Sequence, residues 1–504
     1  MLRLKSQFNK ISGTPISETW KQFLISPGGI SVIVILVTAM IVRLTISFSH
    51  DLILGMDGGY YPVQVRNILK TGLLAFNDVP LYFYFCASII KPISFFGFTV
   101  TNETIILVIK IIDSISLPIL LIPLYKIVSR KGLKIPLFAG LAILLFSVFT
   151  FSPFVMLGDL QKNAFAFPFL FLFIYLFENY LITHERNDLL LAMSTLCIIA
   201  LAHFGVFVFG LTFVTISMFV VYRKKAVLPS ILILLVGFSV IYLFDANRAL
   251  RLITFWNVIF DKPGLNQEPL PFPLLINAII SYLLLIFGFF QYRKHRSEMD
   301  TTTGYMILTL IALISIFAFP FYETQYVQRF SAMLFIPQVL MIVYLIRINQ
   351  KLALPFSISL VLLTTVSIFM YFGEAKKPVI DDQEFRDLQN LKSHLPVNRD
   401  STIIITRHGL EFWIAWALNV KVGNDKSIDL NDLGKYRNII ILQQKKESGL
   451  RPPVNKPFPA HRFSKDGKAP LGPPMGPPME RPMPENFKPI FSSPYFSAFQ
   501  LERE

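Results

Sequence analysis

The chain has 504 residues, 53% of them hydrophobic and only 16% charged, with 49 phenylalanines and a net charge of +15. A soluble domain cannot bury that much apolar surface, and the apolar residues fall into repeated runs of roughly 18–22, the length of a membrane-crossing helix. In such a chain the basic excess is the cytoplasmic-loop bias of a polytopic membrane protein and not nucleic-acid binding; the two cysteines, Cys86 and Cys197, lie far apart in apolar stretches and support neither a disulfide framework nor a zinc site.

Residues 1–28 are polar and basic (Arg3, Lys5, Lys10, Lys21) and show no small-residue cleavage site. They are expected to form a cytoplasmic N-terminal segment ahead of an uncleaved first span at 29–48. Arg43, in the outer half of that span, either snorkels to the interface or faces a polar cavity. A first outer loop, 49–103, follows. It carries Asp51, then Met56-Asp57-Gly58-Gly59-Tyr60-Tyr61, then a short amphipathic helix over 62–71.

Residues 80–98 are apolar and nearly long enough to span, but Lys91-Pro92 interrupts them, and their Tyr and Phe residues suit an interface. Charge decides the case. If 80–98 crossed, Lys126, Arg130, Lys131 and Lys134 would face outward; if it lies in the interface, 104–125 becomes the second span and these cations fall inside. The remaining spans then run 135–153, 163–182, 188–203, 204–222, 227–244, 272–291, 304–321, 328–346 and 353–372, with the main basic clusters on one side. Within the second span, Lys110 and Asp113 are spaced i, i+3 and are expected to pair.

After Phe372 the composition changes. An amphipathic helix over 381–395, strands at 402–406 and 438–442 and a helix at 411–418 predict a small α/β extracytoplasmic domain with a parallel sheet over 373–446. Residues 447–504 are Pro-rich and basic and are expected to be a disordered tail. The fold class is therefore mainly α: a polytopic transmembrane helical bundle of about eleven spans over 29–372, closed by a small C-terminal α/β domain.

Asp57 is the leading catalytic candidate. It sits at the exit of the first span, near the bilayer but in reach of water, where a carboxylate can take a proton from an attacking hydroxyl or amine; its ordinary reading is a solvated loop acid. Gly58 and Gly59 would allow a sharp turn and close approach of a substrate. Tyr60 and Tyr61 offer stacking faces and hydroxyls. Asp159, in a second outer loop, could share a divalent metal with Asp57 or split acid and base roles with it. Arg329 suits a lipid-linked phosphate, which a guanidinium grips bidentately, or is an interface anchor. Arg248, Arg251 and Arg66 are weaker phosphate candidates, Glu323 a partner for Arg329, and His203 a structural residue more than a substrate ligand. No nucleotide-binding loop, dinucleotide fingerprint or zinc spacing is present.

Several of these features occur in an order that resembles the family C (GT-C fold) glycosyltransferases, which include the protein O-mannosyltransferases, aminoarabinose transferases and oligosaccharyltransferases. Asp57 follows the first span, a short helix runs Tyr60 to Lys70, Pro80-Leu81-Tyr82-Phe83-Tyr84 opens an interfacial helix, Lys126 to Lys134 form a basic connector, Asp159 follows the third span, and a soluble domain closes the chain. The first loop carries a lone Asp57-Gly58 and not an adjacent Asp-Glu pair, and Trp413 and Trp416 do not make the Trp-Trp-Asp signature of oligosaccharyltransferases.

The resemblance implies an integral-membrane enzyme moving a sugar from a polyprenyl-phosphate-linked donor to a lipid, glycan or protein acceptor on the extracytoplasmic side. Asp57 would be its base, Asp159 the second-loop acid and Arg329 the donor-phosphate ligand, with a divalent cation left open. A transporter or lipid flippase for envelope glycans, and a non-catalytic envelope scaffold, are the competing readings.

Overall fold

A segment crossing a bilayer has to satisfy its backbone hydrogen bonds internally, and a helix does so within one segment. The computed structural model of the chain describes residues 26–97, 99–130, 135–246, 249–250, 272–319, 324–373, 376–396, 401–424, 434–445 and 487–502. Among them, eight helices are long and apolar enough to cross a membrane. The chain divides into two compact units.

One unit takes the chain to Ile46, then Asn77–Tyr82 and Ile111–Ala375. It contains α1 (Pro27–Ser47) and most of the other apolar helices. The predicted spans map onto helices with small changes at their ends. The second predicted span is a 27-residue helical stretch, Asn102–Val128. A tight turn at Pro118–Leu120 divides it, because Pro118 has no N–H to continue the ladder. The third breaks at Thr150 into Leu137–Phe149 and Phe151–Val155. The next is α8 (Gln161–Thr183), as we number the helices in chain order. The sixth and seventh join as Phe204–Phe244 through a single tight turn at Arg223–Ala226. The ninth, Thr301–Phe317, is started by Asp300, whose carboxylate accepts from the Thr303 N–H at 2.9 Å.

Buried charge in this unit is paired. Arg130 Nη1 lies 2.5 Å from the fully buried Glu178, and Arg347 bridges to Asp300 at 3.0 Å. Polar side chains also bond across the bundle. Asn277 Nδ2 donates to Ser152 Oγ at 2.7 Å, and Gln338 Nε2 donates to Ser281 Oγ at 2.9 Å. In an apolar surround, such contacts fix helix register where Leu and Phe packing alone would permit slippage.

The second unit comprises Ser47–Phe76, Phe83–Lys110 and Lys376–Glu504. Its first segment holds the loop after α1 and α2 (Tyr60–Thr71), which ends at Gly72 with a φ of 78°, a left-handed cap that favours glycine. The predicted interfacial stretch is α3 (Leu81–Phe95), 15 residues long and shorter than a bilayer requires. Phe95 and Phe96 at its end are 87% and 74% exposed.

The C-terminal part starts with Asp382–Asn390, whose Asp381 and Glu384 form a reciprocal capping box. Five strands follow: β1 (Thr402–Thr406), β2 (Lys421–Asn424), β3 (Asn438–Gln444), β4 (Phe487–Ser492) and β5 (Phe496–Leu501), in the order β2-β1-β3-β5-β4. β1 runs parallel to β2 and β3, as the alternation of strands and helices predicts.

The disordered tail expected over 447–504 needs correction. Its last residues form a hairpin, and β5 pairs antiparallel with β3 from Ile440↔Gln500 to Gln444↔Phe496. Phe496 and Ala498 are fully buried, and Ser493 Oγ accepts from the Phe496 N–H at 2.9 Å to close the turn. The Pro-rich repeat at 472–479 lies outside the described residues.

Candidate functional site

The loop carrying Asp57 belongs to the second unit. Gly55 has a φ of 83°, so the sharp turn falls there. Its N–H donates to the Lys377 carbonyl at 3.1 Å, which ties the loop to the segment leading into the C-terminal domain. Asp57 is half-buried, and its main-chain carbonyl accepts from the Tyr60 N–H at 2.9 Å, opening α2.

Gly58 and Gly59 have a different purpose from the one expected. Neither has a positive φ. A Cβ on Gly59 would sit 2.7 Å from the Trp413 nitrogen and 2.8 Å from the Phe412 carbonyl carbon. One on Gly58 would sit 2.5 Å from the Ile53 carbonyl oxygen. Both glycines are buried, so the missing side chains let the protein's own helix α18 (Glu411–Leu418) approach, rather than a substrate. Asp57 is thereby held on the C-terminal domain, with the His408–Glu411 pair (2.8 Å) on the same stretch of chain.

The aromatic and cationic neighbours are used in the same packing. Tyr60 stacks on Phe76 (6.0 Å) and meets Phe83 and Phe412 edge-on, and its hydroxyl accepts from Gln64 Nε2 at 2.9 Å. Tyr61 is buried against Phe83. Tyr61 is core and Tyr60 is half-buried among protein rings, so the faces expected to stack on a substrate are engaged in the protein's own packing. Arg66 donates from Nη1 to the Trp416 carbonyl and from Nη2 to the Ala415 carbonyl, both at 2.7 Å, with its guanidinium 4.4 Å from the Trp416 ring centroid. It completes the C-terminal end of α18, whose last carbonyls have no partner within the helix. Burial pushes its guanidinium down to about 10. Among the described residues, none of its hydrogen bonds is to a carboxylate.

Asp159 lies in the first unit, on the turn between Phe151–Val155 and α8. Gly158 makes the turn with a φ of 85°, and its N–H donates to Asp113 Oδ2 at 2.7 Å. Asp113 faces Arg43, which is 1% exposed: Nη2 stands 3.7 Å from Asp113 Oδ1 and Nη1 donates to the Pro153 carbonyl at 2.7 Å. Arg43 thus faces the bundle interior and does not snorkel to the interface; it meets Asp113 and a main-chain carbonyl rather than the polar cavity of the other reading.

The expected Lys110–Asp113 pair does not form. Lys110 Nζ donates instead to the His50 and Asp51 carbonyls at 2.5 and 2.9 Å. The first turn of α8 adds two residues that sequence reasoning missed. Gln161 accepts from the Tyr82 hydroxyl at 2.6 Å and donates to the Gly158 carbonyl at 3.1 Å. Lys162 pairs with the buried Asp78. Their signal was present: Gln161-Lys162-Asn163 is a polar triplet opening an otherwise apolar helix.

Of the remaining candidates, Arg329 is exposed on α14 (Thr324–Met333) in the first unit. His203 caps the helix after it, accepting at Nδ1 from the Val206 N–H at 3.2 Å, which is the structural role expected of it. Arg248, Arg251 and Glu323 lie outside the described residues. Asp57, Tyr60, Tyr61 and Arg66 share one unit, while Asp159 and Arg329 belong to the other. Among the described residues no three His, Cys, Asp or Glu side chains gather as a metal-binding group.

No family model and no curated protein matches the chain. A solved structure does: the oligosaccharyltransferase of Archaeoglobus fulgidus, in complex with Zn and sulfate, is similar with a TM-score of 0.51 and 12% identity, over 81% of this chain and 67% of that one. The chain has the GT-C fold. The resemblance expected from the order of Asp57, the interfacial helix and the basic connector is thus met at the level of architecture, in a helical membrane bundle with a small C-terminal sheet domain.

Proposed function

We propose that the chain is an integral-membrane glycosyltransferase that takes a sugar from a polyprenyl-phosphate-linked donor. The observation that carries this reading is the fold shared with an oligosaccharyltransferase; a lipid-linked donor is our extension of that likeness. It is supported by the placement of a half-buried carboxylate, Asp57, on a loop that the glycine pair seats against α18.

In the proposed reaction the acceptor hydroxyl or amine attacks the anomeric carbon and gives its proton to Asp57. The bond from that carbon to the donor phosphate breaks, and polyprenyl phosphate leaves with the electron pair. Asp159 is the second acid of the proposal, and Arg329 the guanidinium for the leaving phosphate.

Sidedness follows from charge. With the Lys126–Lys134, Arg223–Lys225 and Arg293–Arg296 clusters inside, the Asp57 loop and the C-terminal domain fall outside, where nucleotide sugars are absent and a lipid-linked donor is the available one.

The test is to reconstitute the full-length protein in liposomes, supply a panel of polyprenyl-phosphate-linked hexoses and pentoses with envelope lipid and glycan fractions, and measure release of polyprenyl phosphate. Release above that of protein-free liposomes is expected with at least one donor. Its absence across the panel, with folded protein, contradicts the proposal.

A further inference from the structure

A cavity of about 410 Å³ opens within the second unit, lined in part by Arg66, Lys70, Asn102, Lys392, Trp416 and Asn419. Among the described residues, three cations line it and no carboxylate does. Lys70 and Lys392 are exposed, and among the described residues neither is paired with an acid. Arg66 is fixed, with two bonds to carbonyls of α18 and the Trp416 ring beneath it, so its charge is placed without being neutralised. Asn102 opens a 15-residue helix, Asn102–Ser116, whose first N–H groups add partial positive charge at the same wall.

Like charges converge on this partly open cavity at a cost unless something negative fills it. Burial already holds Arg66 below the ordinary guanidinium range. The cavity is also too polar and too large for a single chloride. One rigid guanidinium and two flexible ammonium groups suit a group with several oxygen acceptors and about two negative charges.

We infer that this cavity binds a phosphate group, gripped by Arg66, Lys70 and Lys392 beside the Trp416 ring. Two sources share that chemistry: a soluble phosphate ester, or the headgroup of an anionic lipid. The lipid source has a feature of its own. Phe95 and Phe96, the exposed pair at the end of α3, stand only a few residues before Asn102 and suit insertion at a membrane interface. The site does not depend on the transfer reaction proposed above, since it is defined by binding alone.

The experiment uses the full-length protein in two settings. In neutral detergent, inorganic pyrophosphate is titrated while tryptophan fluorescence is followed, because Trp416 lies in the cavity wall. In nanodiscs, phosphatidylglycerol is raised at constant total lipid with the same readout. Saturable change in detergent assigns a soluble phosphate ligand, and change confined to nanodiscs assigns a headgroup.

In either case the Lys70→Gln/Lys392→Gln variant should bind about tenfold more weakly, the loss of one charge-assisted hydrogen bond or more. Lys70→Arg/Lys392→Arg should restore binding. Both lysines are exposed, so these variants keep the fold, and Arg66 is left in place to hold α18. No saturable signal in either setting, or one that the Gln variant leaves unchanged, overturns the inference.

Discussion

Asp113 is the residue whose removal has the most calculable consequence. Its Oδ2 takes the Gly158 N–H at 2.7 Å, and its Oδ1 is the counter-charge of Arg43, which is 1% exposed within a helix of membrane length. Asp113→Asn keeps an acceptor for Gly158 but leaves Arg43 buried without an opposite charge, a loss of about 3–5 kcal/mol. Asp113→Ala also orphans the Gly158 N–H, adding about 1–3 kcal/mol.

Replacing both partners, Arg43→Met with Asp113→Leu, removes the uncompensated charge. It should recover most of the Asn loss while still freeing the Gly158 turn. Equilibrium unfolding of the purified protein in mixed micelles measures all three, and with the single Arg43→Met and Asp113→Leu variants added the double-mutant coupling isolates the pair. Asp113→Asn within about 0.5 kcal/mol of the parent, the range of a neutral surface change, would refute the claim that this pair is buried and mutually dependent. The turn it holds carries Asp159, so the same variants should disturb that loop's position before they unfold the bundle.

Other substitutions test other parts. Gly59→Ala puts a methyl 2.7 Å from the Trp413 nitrogen, a backbone atom that cannot swing aside. It should cost about 1–3 kcal/mol and free the Asp57 loop from α18, seen as faster proteolysis between residues 51 and 59; unchanged stability and cleavage would show that the loop is not seated there. In a Cys86→Ala/Cys197→Ser background, a cysteine at Ser94 should react with an impermeant maleimide in intact cells and one at Lys225 should not; both positions are exposed, so the reverse pattern would invert the proposed topology. Phe95→Ser/Phe96→Ser should reduce the depth to which a spin label at Ser94 sits in the bilayer, and an unchanged depth would remove α3 from the interface.

What the sequence made legible, and what it hid, follow from the range of the interactions. The spans could be read because an apolar run long enough to cross a bilayer is a local property, and so could a helix near 80–98 too short to span, although it runs through Lys91-Pro92 to Phe95 and is not interrupted there. The strands at 402–406 and 438–444 were equally local, as continuous Ile-rich runs between turns. The hairpin at 487–501 was hidden because proline density in the segment before it masks a short alternating stretch, and because its partner β3 lies more than forty residues earlier.

The candidate site was legible only as single residues. Arg43 and Asp113 are 70 residues apart, and Asp78 and Lys162 are 84 apart. No local spacing announces such pairs, and the i, i+3 rule misassigned Lys110 because main-chain carbonyls of the preceding loop were within its reach. Gly58 and Gly59 were read as a turn because glycine permits one. Their partner, Trp413, comes some 350 residues later and could not be seen from the motif.

The account depends most on Asp57 as the base of a sugar transfer. The direct measurement compares the parent with Asp57→Asn, reconstituted at equal protein and with unfolding midpoints matched, in the polyprenyl phosphate release assay. Asn keeps the size of the side chain and cannot accept the acceptor's proton, so the account predicts a fall of at least about 100-fold, the scale of general-base catalysis, with folding retained. Full release by Asp57→Asn would contradict it.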